Sequence, residues 1–437
     1  MNKISQSDFS LEKLGITSLN EMQLEMLQSA KTNKDIILHA PTGSGKTVAF
    51  LLTALEKLNK EQTTVQLLII SPTRELSIQI EDVFKKLSTG FKVNTCYGGH
   101  SMRVEENNLS VPPAVLIGTP GRLADHVRRG NIDLSEVHTL ILDEFDKSLQ
   151  MGFESDMTEI VRELKSLQNK YLVSATKLEA IPAFTQIKNP VTIDFLVEKS
   201  HQINYFGVPM NDSDKLDLLL ELLCNLPEGK TIIFCNHREP VVEITDFLKE
   251  NGVVAVAYHG GMEQDDRERA LIRFRNGSSN FLVSTDLAAR GLDIPAVEHV
   301  IHYQLPLKEA EFIHRSGRTG RQDADGVVFM LLDSKKNVPD FIPEHHQYEV
   351  VPNEPLPELP KWKTIYISAG KKDKVNKIDI VGFLHKMGGL KQEEIGLITV
   401  MDYSSFAAIS SDVAEDVVPE LRDQKIKGKK QKIGFAR

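Results

Sequence analysis

The chain has 437 residues, of which 41% are hydrophobic and 26% are charged, a composition typical of a globular protein with two or three domains. It contains no run of about 18 apolar residues, so the sequence predicts no membrane-spanning helix, and the N-terminus lacks the apolar stretch of a secretory signal. The three cysteines show neither metal-binding spacing nor a disulfide framework, so a reduced, cytoplasmic setting is expected.

The net charge of −9 disfavours a nucleic-acid partner at first sight, but the charge is unevenly distributed. Residues 361–437 contain 15 Lys and Arg against 10 Asp and Glu, a net charge of +5, so the preceding part of the chain carries −14. A basic module behind an acidic body indicates a polyanion site near the C-terminus. The alternative is a solvated lysine-rich surface without a ligand.

Residues 1–197 alternate apolar runs with helical patterns, which is typical of a parallel sheet covered on both faces. The predicted strands of this region are DIILHA, QLLIISPT, AVLIGTP, TLILDE and YLVSAT. Residues 198–340 repeat the pattern with TIIFCN, VVAVAYHG, FLVSTD, HVIHYQ and GVVFMLL. The sequence therefore predicts two tandem α/β domains of the same kind.

A proline-rich linker is predicted next, at residues 341–360, because its prolines oppose both helix and central strand. His345 and His346 in this linker are expected to be exposed rather than to bind a metal. Residues 361–437 predict the order βαββαβ, with helices in KIDIVGFLHKMGG and SDVAEDVVPELRD and one basic final strand in KIKGKKQKIGFA. This order is typical of a small ferredoxin-like or RRM-like α+β module.

The segment HAPTGSGKTVAFLL joins a predicted strand to a predicted helix. Gly43 and Gly45 allow backbone N–H groups to surround phosphate oxygens at the helix N-terminus. Lys46 would reach the β- and γ-phosphates of a nucleotide, and the Thr47 hydroxyl would bind Mg²⁺. Ala40 stands where the usual GxxxxGK[ST] pattern has its first glycine, but the strand–loop–helix context is that of a phosphate-binding loop.

Three carboxylates, Asp143, Glu144 and Asp146, directly follow the predicted strand TLIL. Such a cluster requires a cation, a proton-transfer role or a cationic partner. Given the phosphate loop upstream, Asp143 is expected to hold Mg²⁺, and Glu144 to orient or deprotonate the attacking water. Asp146 needs a partner, for which Ser174 and Thr176 of the segment SAT, or arginines of the second domain, are candidates. The alternative is an acidic helix start that is stabilised by the helix dipole alone.

The segment HRSGRTGR of the second domain places Arg315, Arg318 and Arg321 three residues apart with glycines between them. Arginines supplied to a phosphoryl group in this way are worth about 10³–10⁵ in rate. Because only the first domain has a phosphate loop, we expect one ATP site, to which the second domain contributes arginines. A basic turn without this role is the alternative.

Together these segments resemble the motifs of the DEAD-box RNA helicases. The matching segments, in chain order, are GITSLNEMQ (Q motif), APTGSGKT (I), PTREL (Ia), Gly98–Gly99 and TPGR (Ib), DEFD (II), SAT (III), IIFCN (IV), STDLAARGLD (V) and HRSGRTGR (VI). The resemblance spans essentially the whole chain and implies two RecA-like domains that close around ATP and single-stranded RNA. The chain departs from the family pattern at Phe145, where the family has Ala, and at Leu19 and Asn20, where it has Pro-Thr.

The resemblance also implies roles for individual residues, including adenine recognition by Gln23, a ribose contact by Asp293 and arginine fingers at Arg318 and Arg321. The ATP-binding residues implied are Gln23, Thr42, Gly43, Ser44, Gly45, Lys46, Thr47 and Asp293. The catalytic residues implied are Lys46, Asp143, Glu144, Arg318 and Arg321, and the residues implied to couple ATP to RNA are Asp146, Ser174 and Thr176. The RNA-backbone contacts implied are Pro72, Thr73, Arg74, Gly99, Thr119, Gly121, Arg122, Thr285 and Asp286.

The C-terminal region resembles the RNA-binding domain of DbpA-type helicases, which act on large-subunit ribosomal RNA, in SAGKKDKVNKIDIVGFL, IGLITVMDYSSFAAI and KIKGKKQKI. Its candidates for base stacking are Tyr366 and Phe406, whereas Lys371, Lys372 and Lys374 are expected to bind phosphates. A purely structural appendage is the alternative.

The predicted function is therefore an ATP- and Mg²⁺-dependent RNA helicase that locally unwinds structured RNA, with ribosomal RNA during ribosome assembly as the expected target. An ATP-gated RNA clamp that unwinds little is the alternative. A DNA translocase is disfavoured by the resemblance of the Q motif and of SAT.

Overall fold

The structure is a computed structural model that describes residues 10–41, 43–99, 102–178, 180–196, 203–210, 214–287, 297–320, 326–333, 337–422 and 424–436. It divides into two compact units, the first with one seven-stranded sheet and the second with a seven-stranded and a four-stranded sheet. The predicted fold class, two parallel α/β sheets followed by a small α+β module, is confirmed. Among the described helices, none has the length and apolar character required to cross a bilayer.

The first unit contains a parallel sheet with helices between its strands. Its strands are β1 (Asp35–His39), β2 (Leu67–Ile70), β3 (Val93–Cys96), β4 (Val115–Gly118), β5 (Thr139–Leu142), β6 (Asn169–Ser174) and β7 (Val191–Asp194). Its helices are α1 (Glu21–Ser29), α2 (Lys46–Leu55), α3 (Arg74–Lys86), α4 (Met102–Leu109), α5 (Pro120–Arg128), α6 (Phe145–Gln150) and α7 (Glu154–Arg162). The central strands β1, β2, β4 and β5 are buried along their whole length, which explains their continuous apolar sequences.

The strand order β3-β4-β2-β5-β6-β1-β7 decides which loops become neighbours. Because parallel strands end at the same edge of a sheet, the loops after β5, β6 and β1 lie together in one half of that edge. The loops after β3, β4 and β2 lie together in the other half. Strands β3 and β7 were not predicted from the sequence, because they are outer strands of the sheet, are only partly buried and lack a continuous apolar pattern.

The second unit begins with another parallel sheet, in the order β10-β11-β9-β12-β13-β8-β14. Its strands are β8 (Ile203–Met210), β9 (Thr231–Phe234), β10 (Ala255–Tyr258), β11 (Phe281–Ser284), β12 (His299–His302), β13 (Gly326–Asp333) and β14 (His346–Gln347). Its helices are α8 (Lys215–Asn225), α9 (Arg238–Glu250), α10 (Gln264–Arg275) and α11 (Glu309–Ser316).

The proline-rich segment is more ordered than a simple linker. Within it, β14 adds to the sheet beside β8, and the Tyr348 ring packs edge-on against Phe206 at 5.8 Å. Asn225 on α8 also accepts from and donates to the backbone of Val351, at 2.8 and 2.9 Å. A short edge strand tolerates the neighbouring prolines because its outer backbone groups need no ladder partner.

The four-stranded sheet is antiparallel, in the order β16-β17-β15-β20, and packs one face against two helices. The elements are β15 (Trp362–Ile367), α12 (Lys377–Gly388), β16 (Ile395–Val400), β17 (Ser405–Ser410), α13 (Ser411–Leu421), β18 (Lys425–Ile426), β19 (Lys429–Lys430) and β20 (Ile433–Phe435). The single basic final strand predicted from sequence was wrong. Lys427 and Gly428 both have positive φ (50° and 79°), so the chain reverses into the hairpin β18–β19 before β20 joins the sheet.

Candidate nucleotide and RNA sites

The phosphate loop connects β1 to α2 and is held in a conformation that requires glycine. Gly43 and Gly45 have φ values of 81° and 88°, in the left-handed region. A Cβ atom at Gly45 would lie 2.6 Å from Nε2 of Gln23, so the loop passes closely beside α1. Lys46 begins α2 and donates to the carbonyl oxygens of residues 40 and 41, at 2.8 and 2.7 Å. Thr47 follows, half-buried.

Helix α1 supports this loop through its N-terminal cap. Asn20 and Gln23 form a capping box, in which each side-chain oxygen accepts the other residue's backbone N–H at 3.0 Å. The amide nitrogen of Asn20 donates to Ser44 O at 3.0 Å, and Nε2 of Gln23 donates to Gly45 O at 3.3 Å. Asn20, which together with Leu19 stands where the family has Pro-Thr, therefore connects the start of α1 to the phosphate loop. Gln23 is buried beside the phosphate loop, and its contact with adenine stays a prediction.

The carboxylates of DEFD follow the end of β5. In the sheet, β5 is next to β6, and β6 is next to β1, the strand that precedes the phosphate loop. Asp143 accepts the N–H of Glu144 at 2.9 Å, and its own N–H donates to Ile70 O. Burial and the adjacent Glu144 raise the pKa of Asp143 to about 7, although Lys46 opposes this shift. Oε2 of Glu144 is buried with no hydrogen-bond partner among the described residues. Two crowded carboxylates with an unsatisfied oxygen are the donor set that a divalent cation fits.

Asp146 has one of the hydrogen-bonding partners that were predicted for it from the sequence. Oγ1 of Thr176 donates to Oδ2 of Asp146 at 2.9 Å. Ser174 in turn donates to the carbonyl of Thr176 at 2.6 Å and accepts its N–H at 3.1 Å. The segment SAT after β6 is therefore tied directly to the acidic segment after β5.

The packing of Phe145 explains why a large apolar residue stands among carboxylates. Its side chain is fully buried and belongs to the apolar cluster on one face of the first sheet. Its ring lies 6.2 Å from that of Phe184, at an angle of 51°. Glu144 precedes it with a φ of 43°, a conformation that is uncommon for a residue other than glycine. This turn lets the carboxylates face the strand ends while Phe145 points into the core.

The loops after β2 and β3 bring Arg74 and Gly99 together. Thr73 caps α3 by accepting the N–H of Leu76 at 3.3 Å, and Pro72 before it is buried. The Arg74 guanidinium lies over the ring of Tyr97, 4.6 Å from its centroid. Gly99 has a φ of 92°, and a Cβ there would lie 3.1 Å from Nη1 of Arg74.

The TPGR segment after β4 joins the same group. The N–H of Thr119 donates to Cys96 O at 3.0 Å, and Gly121 lies in the first turn of α5. Nε of Arg122 donates to Tyr97 O at 3.1 Å and lies 3.1 Å from Oε2 of Glu105. The residues expected to contact the RNA backbone from the first unit are thus neighbours at one half of the sheet edge.

Glu105 and His126 are central to this group and were not predicted from the sequence. Glu105 accepts the N–H of Tyr97 at 3.2 Å and contacts Nε2 of His126 at 2.7 Å, while Nδ1 of His126 lies 3.2 Å from Nδ2 of Asn131. Because that amide nitrogen donates, His126 carries its proton on Nε2 and donates it to Glu105. A lone Glu and a lone His in separate helices carry no recognisable pattern, so only their proximity reveals them.

This cluster also contains Cys96, and its three potential metal-binding atoms lie within 4.8 Å of one another. Burial raises the pKa of the Cys96 thiol to about 12. The Arg122 guanidinium already neutralises Glu105. A second cation is therefore disfavoured, and the group is a hydrogen-bonded network that positions Arg122.

In the second unit, Arg315 connects the three motifs that follow β9, β11 and β12. Its side chain is fully buried and binds both carboxylate oxygens of Asp286, at 2.6 and 2.9 Å. It also donates to Gln304 O and to Oδ1 of Asn236, both at 2.9 Å. This bidentate pairing shows that Arg315 organises the loops, and that the Asp286 carboxylate is engaged by it.

For two other predicted residues of this unit, the structure gives the position and the burial. Arg318 is buried in the turn after α11, and Thr285 is half-buried after β11. Thr42, Asp293 and Arg321 lie outside the described residues.

In the four-stranded module, two basic segments that are distant in sequence come together. Lys371, Lys372 and Lys374 are exposed in the loop after β15, and the hairpin β18–β19 lies beside them. Lys427 of the hairpin donates to Lys374 O and pairs with Asp379 at 2.7 Å. We call this surface, formed by residues 371–374 and 425–430, the lysine surface.

Family models match most of the chain. Residues 20–181 match the DEAD/DEAH box helicase model, residues 214–323 match the helicase conserved C-terminal domain, and residues 364–434 match the DbpA RNA binding domain. Each of the three matches overlaps one of the three large sheets. The matched segments contain the phosphate loop, the carboxylates, Arg315 and the lysine surface.

Curated relatives are similar over nearly the full length. The ATP-dependent RNA helicase DbpA of Bacillus subtilis (strain 168) is 31% identical, with 98% of this chain and 96% of the relative covered. The DbpA of Escherichia coli (strain K12) is 32% identical, with 96% and 95% covered. Among solved structures, S. cerevisiae Dbp5 bound to RNA and ADP BeF3 aligns with a TM-score of 0.68 at 26% identity, covering 78% of this chain and 92% of that one. This chain therefore belongs to the DEAD-box ATP-dependent RNA helicases and carries a DbpA-type RNA-binding domain.

Proposed function

We propose that this RNA-stimulated ATPase locally unwinds structured ribosomal RNA during assembly of the large ribosomal subunit. The observation that carries the proposal is the lysine surface, because the C-terminal module otherwise has an ordinary mixture of charges. Folding brings together seven lysines from two segments, and few carboxylates lie among them. A concentrated positive surface on a module of the DbpA type is suited to the phosphates of a folded RNA.

Within the first unit, we assign ATP and Mg²⁺ binding to the residues around the phosphate loop. Backbone N–H groups of residues 43–47 would hold the phosphates, Lys46 would leave its carbonyl partners to neutralise the β- and γ-phosphates, and Thr47 and Asp143 would hold the metal. The bound Mg²⁺ supplies charge neutralisation of the transferring phosphoryl group. Glu144 would accept a proton from the attacking water. Arg318 and Arg321 are the proposed arginine fingers.

Coupling between ATP and RNA is proposed to run through the contact between Asp146 and Thr176. Asp146 follows the catalytic carboxylates by two residues, so a shift of this segment on nucleotide binding moves SAT as well. The RNA backbone would contact Thr73, Arg74, Gly99 and Thr119 together with Pro72, Gly121, Arg122 and Thr285 at the strand ends. Asp286 would contribute by holding Arg315.

A strand-displacement assay tests the proposal. Two substrates share a short duplex, which is attached in one case to a large-subunit ribosomal RNA fragment and in the other to unstructured RNA. We expect ATP-dependent release of the strand at a lower protein concentration with the ribosomal fragment. ATP-dependent RNA retention without any released strand would instead establish the clamp.

The role of the lysine surface is tested in the same assay. The triple variant Lys371→Ala, Lys372→Ala and Lys374→Ala should lose the preference for the ribosomal fragment and retain release from the unstructured substrate. A control that removes the same charge from exposed positions of the first unit replaces Lys85, Lys86 and Lys165, and should retain the preference. An unchanged preference in the first variant would contradict the assignment.

A further inference from the structure

His39, the last residue of β1, is a buried histidine that the sites described above do not use. Its side chain is only 7% exposed, and neither ring nitrogen has a hydrogen-bond partner among the described residues. Buried polar groups are nearly always hydrogen-bonded, so an unsatisfied imidazole requires an explanation from its surroundings. The residue directly precedes the phosphate loop.

Strand pairing fixes the neighbours of this imidazole. His39 pairs in register with Ser174 of β6 on one side and with Asp194 of β7 on the other. Residues that pair in register point to the same face of a sheet, so the three side chains lie side by side. The N–H of Phe195 donates to His39 O at 2.8 Å and holds the backbone at this position. The imidazole therefore lies beside the segment SAT.

The residues at and after the end of β6 are tied to other elements at two points. Oγ1 of Thr176 donates to Oδ2 of Asp146 at 2.9 Å, in the acidic segment after β5. The ammonium group of Lys177 pairs with Oδ2 of Asp194 at 2.9 Å, at the end of β7. SAT is thus connected on one side to the segment of the carboxylates and on the other side to an outer strand.

The charged groups of both connections act on the imidazole of His39. Burial lowers the pKa of His39 from its ordinary value. Asp194 opposes this decrease in the pKa, Lys177 adds to it, and Asp146 again opposes it. These groups belong to β7, to the segment after β6 and to α6, the elements that surround the ring. The ring is therefore neutral near neutral pH and becomes charged only in acidic solution.

A proton on His39 would change the contacts of Asp146. A charged imidazole has two N–H donors and no acceptor, and a buried charge is stable only when it is paired and hydrogen-bonded. Asp194 already pairs with Lys177, whereas Thr176 offers Asp146 a neutral hydroxyl. Because a charged donor makes the stronger hydrogen bond, a protonated ring competes with Thr176 for the Asp146 carboxylate.

We propose that His39 is a positioning residue for the coupling segment, and that it makes the RNA stimulation of ATP turnover depend on proton concentration. With a neutral ring, Asp146 stays bound to Thr176. With a protonated ring, Asp146 turns toward His39, and the connection between the acidic segment and SAT is broken. The inference rests on the proposed function, in which this connection couples ATP to RNA.

The ratio of RNA-stimulated to basal ATP turnover of the full chain, measured from about pH 7.5 to about pH 5, tests the inference. His39→Leu and His39→Gln both remove the titrating ring, and the leucine removes no hydrogen bond to the described residues. The pKa of Asp143 is raised to about 7, so Asp143 titrates in the same range, equally in the parent chain and in the variants. His345→Gln, which removes an exposed histidine of the second unit, is the matched control.

We expect the ratio to fall by about threefold or more across this range in the parent chain and in the control, as the ring becomes protonated. In both His39 variants the ratio should match that of the parent near neutral pH and stay within about 1.5-fold on acidification. An equal decrease in both variants would overturn the inference. A ratio reduced by the same factor at every pH would also overturn it, because the ring would then act through packing alone.

A second measurement follows the imidazole itself by NMR, with its signal assigned by comparison with His39→Leu. Thr176→Val should raise the pKa of His39, because the Asp146 carboxylate then has no competing hydroxyl. Thr158→Val, which removes a hydroxyl bonded to a helix carbonyl elsewhere in the first unit, should leave this pKa unaltered. An unaltered pKa in Thr176→Val would overturn the competition.

The two measurements separate a failure of the inference from a failure of the proposed function. Full RNA stimulation of Thr176→Val near neutral pH would contradict the proposed coupling through Asp146 and Thr176. The NMR titration would still decide whether His39 competes for Asp146.

Discussion

At the scale of single residues, Lys46 shows how the phosphate loop is arranged before nucleotide binds. Its ammonium group donates to two carbonyl oxygens of its own loop, so the charge is stabilised locally and is available for exchange to phosphate. Gly45 and Gln23 hold the loop from the other side. The conformation therefore depends on backbone and cap contacts more than on the lysine.

Lys46→Ala should abolish ATP turnover, with a loss of at least about 10²-fold, because phosphate neutralisation disappears. The melting temperature should change by roughly 2 °C or less, since half-exposed substitutions typically cost under about 0.5 kcal/mol. Steady-state ATPase kinetics and calorimetry measure both. Lys57→Ala, which removes another lysine bonded to a carbonyl, is the control. A large drop in melting temperature for Lys46→Ala would mean that the lysine is structural.

Glu105 holds Arg122, the arginine that we propose to contact the RNA backbone, through an ion pair. Its almost fully buried carboxylate pairs with Arg122 and His126 and holds both side chains in place. Arg122 lies at the ends of the strands. Glu105 touches neither ATP nor, in the proposed arrangement, RNA. It acts as a positioning residue.

Replacing Glu105 by Ala should raise the RNA concentration for half-maximal ATPase stimulation by about tenfold, since one well-placed charged contact is worth about 1.5 kcal/mol. The turnover at saturating RNA should stay within about twofold. Glu105→Gln, which keeps an acceptor oxygen, should recover part of the RNA affinity, and Glu106→Gln next to it should have no effect. Reduced turnover with unaltered RNA affinity would rule out positioning of Arg122.

At the scale of elements, α6 is anchored by its first residue. Phe145 is fully buried in the apolar cluster of the first sheet, whereas Asp143 and Glu144 lie at the strand ends. Because Phe145 anchors the start of α6 in the core, the helix holds the two preceding carboxylates in place. Because the ring fills the core, the departure from the family's Ala changes packing rather than the chemistry of the acidic residues.

Phe145→Ala should destabilise the protein by about 3–5 kcal/mol, because it leaves a cavity that the sheet cannot close. Denaturant unfolding followed by circular dichroism gives this value, and Phe145→Leu should cost less than about 1.5 kcal/mol. ATP turnover measured well below the melting temperature should persist in both. If Phe145→Ala were as stable as the parent chain, the ring would not be part of the core.

At the scale of the whole molecule, charge is divided between an acidic body and the basic lysine surface. The overall charge of −9 repels RNA at long range, so the proposed RNA contact at the lysine surface would supply a local attraction. Such binding releases counterions from the RNA and is therefore sensitive to salt.

The affinity for the ribosomal fragment should fall with salt by roughly 0.7 log units per tenfold increase for each phosphate neutralised. The triple variant at residues 371, 372 and 374 should therefore lower the slope by about 2, as measured by fluorescence anisotropy over a salt series. The variant at Lys85, Lys86 and Lys165 should keep the slope of the parent. Identical slopes in all three proteins would place the RNA contacts elsewhere.

The sequence by itself determined the three modules and the local segments of the candidate nucleotide site. Buried parallel strands require continuous apolar runs, and phosphate binding requires glycines and a lysine at fixed spacing, so both leave local patterns that can be read directly. For this reason the central strands, the loop at residues 43–47 and the carboxylates after β5 were predicted correctly in position. The outer strands β3 and β7 were missed because partial burial leaves no such pattern.

Only the tertiary structure decided which distant residues meet. Glu105 with His126, Arg315 with Asp286, and Ser278 with Thr364 are pairs separated by 21 to 86 positions. Their contacts arise from strand order and from the docking of one domain on another, which impose no periodicity on either partner's own segment. Phe406 is a further example, because its place in the sequence suits a stacking platform, whereas in the folded chain it is only 3% exposed.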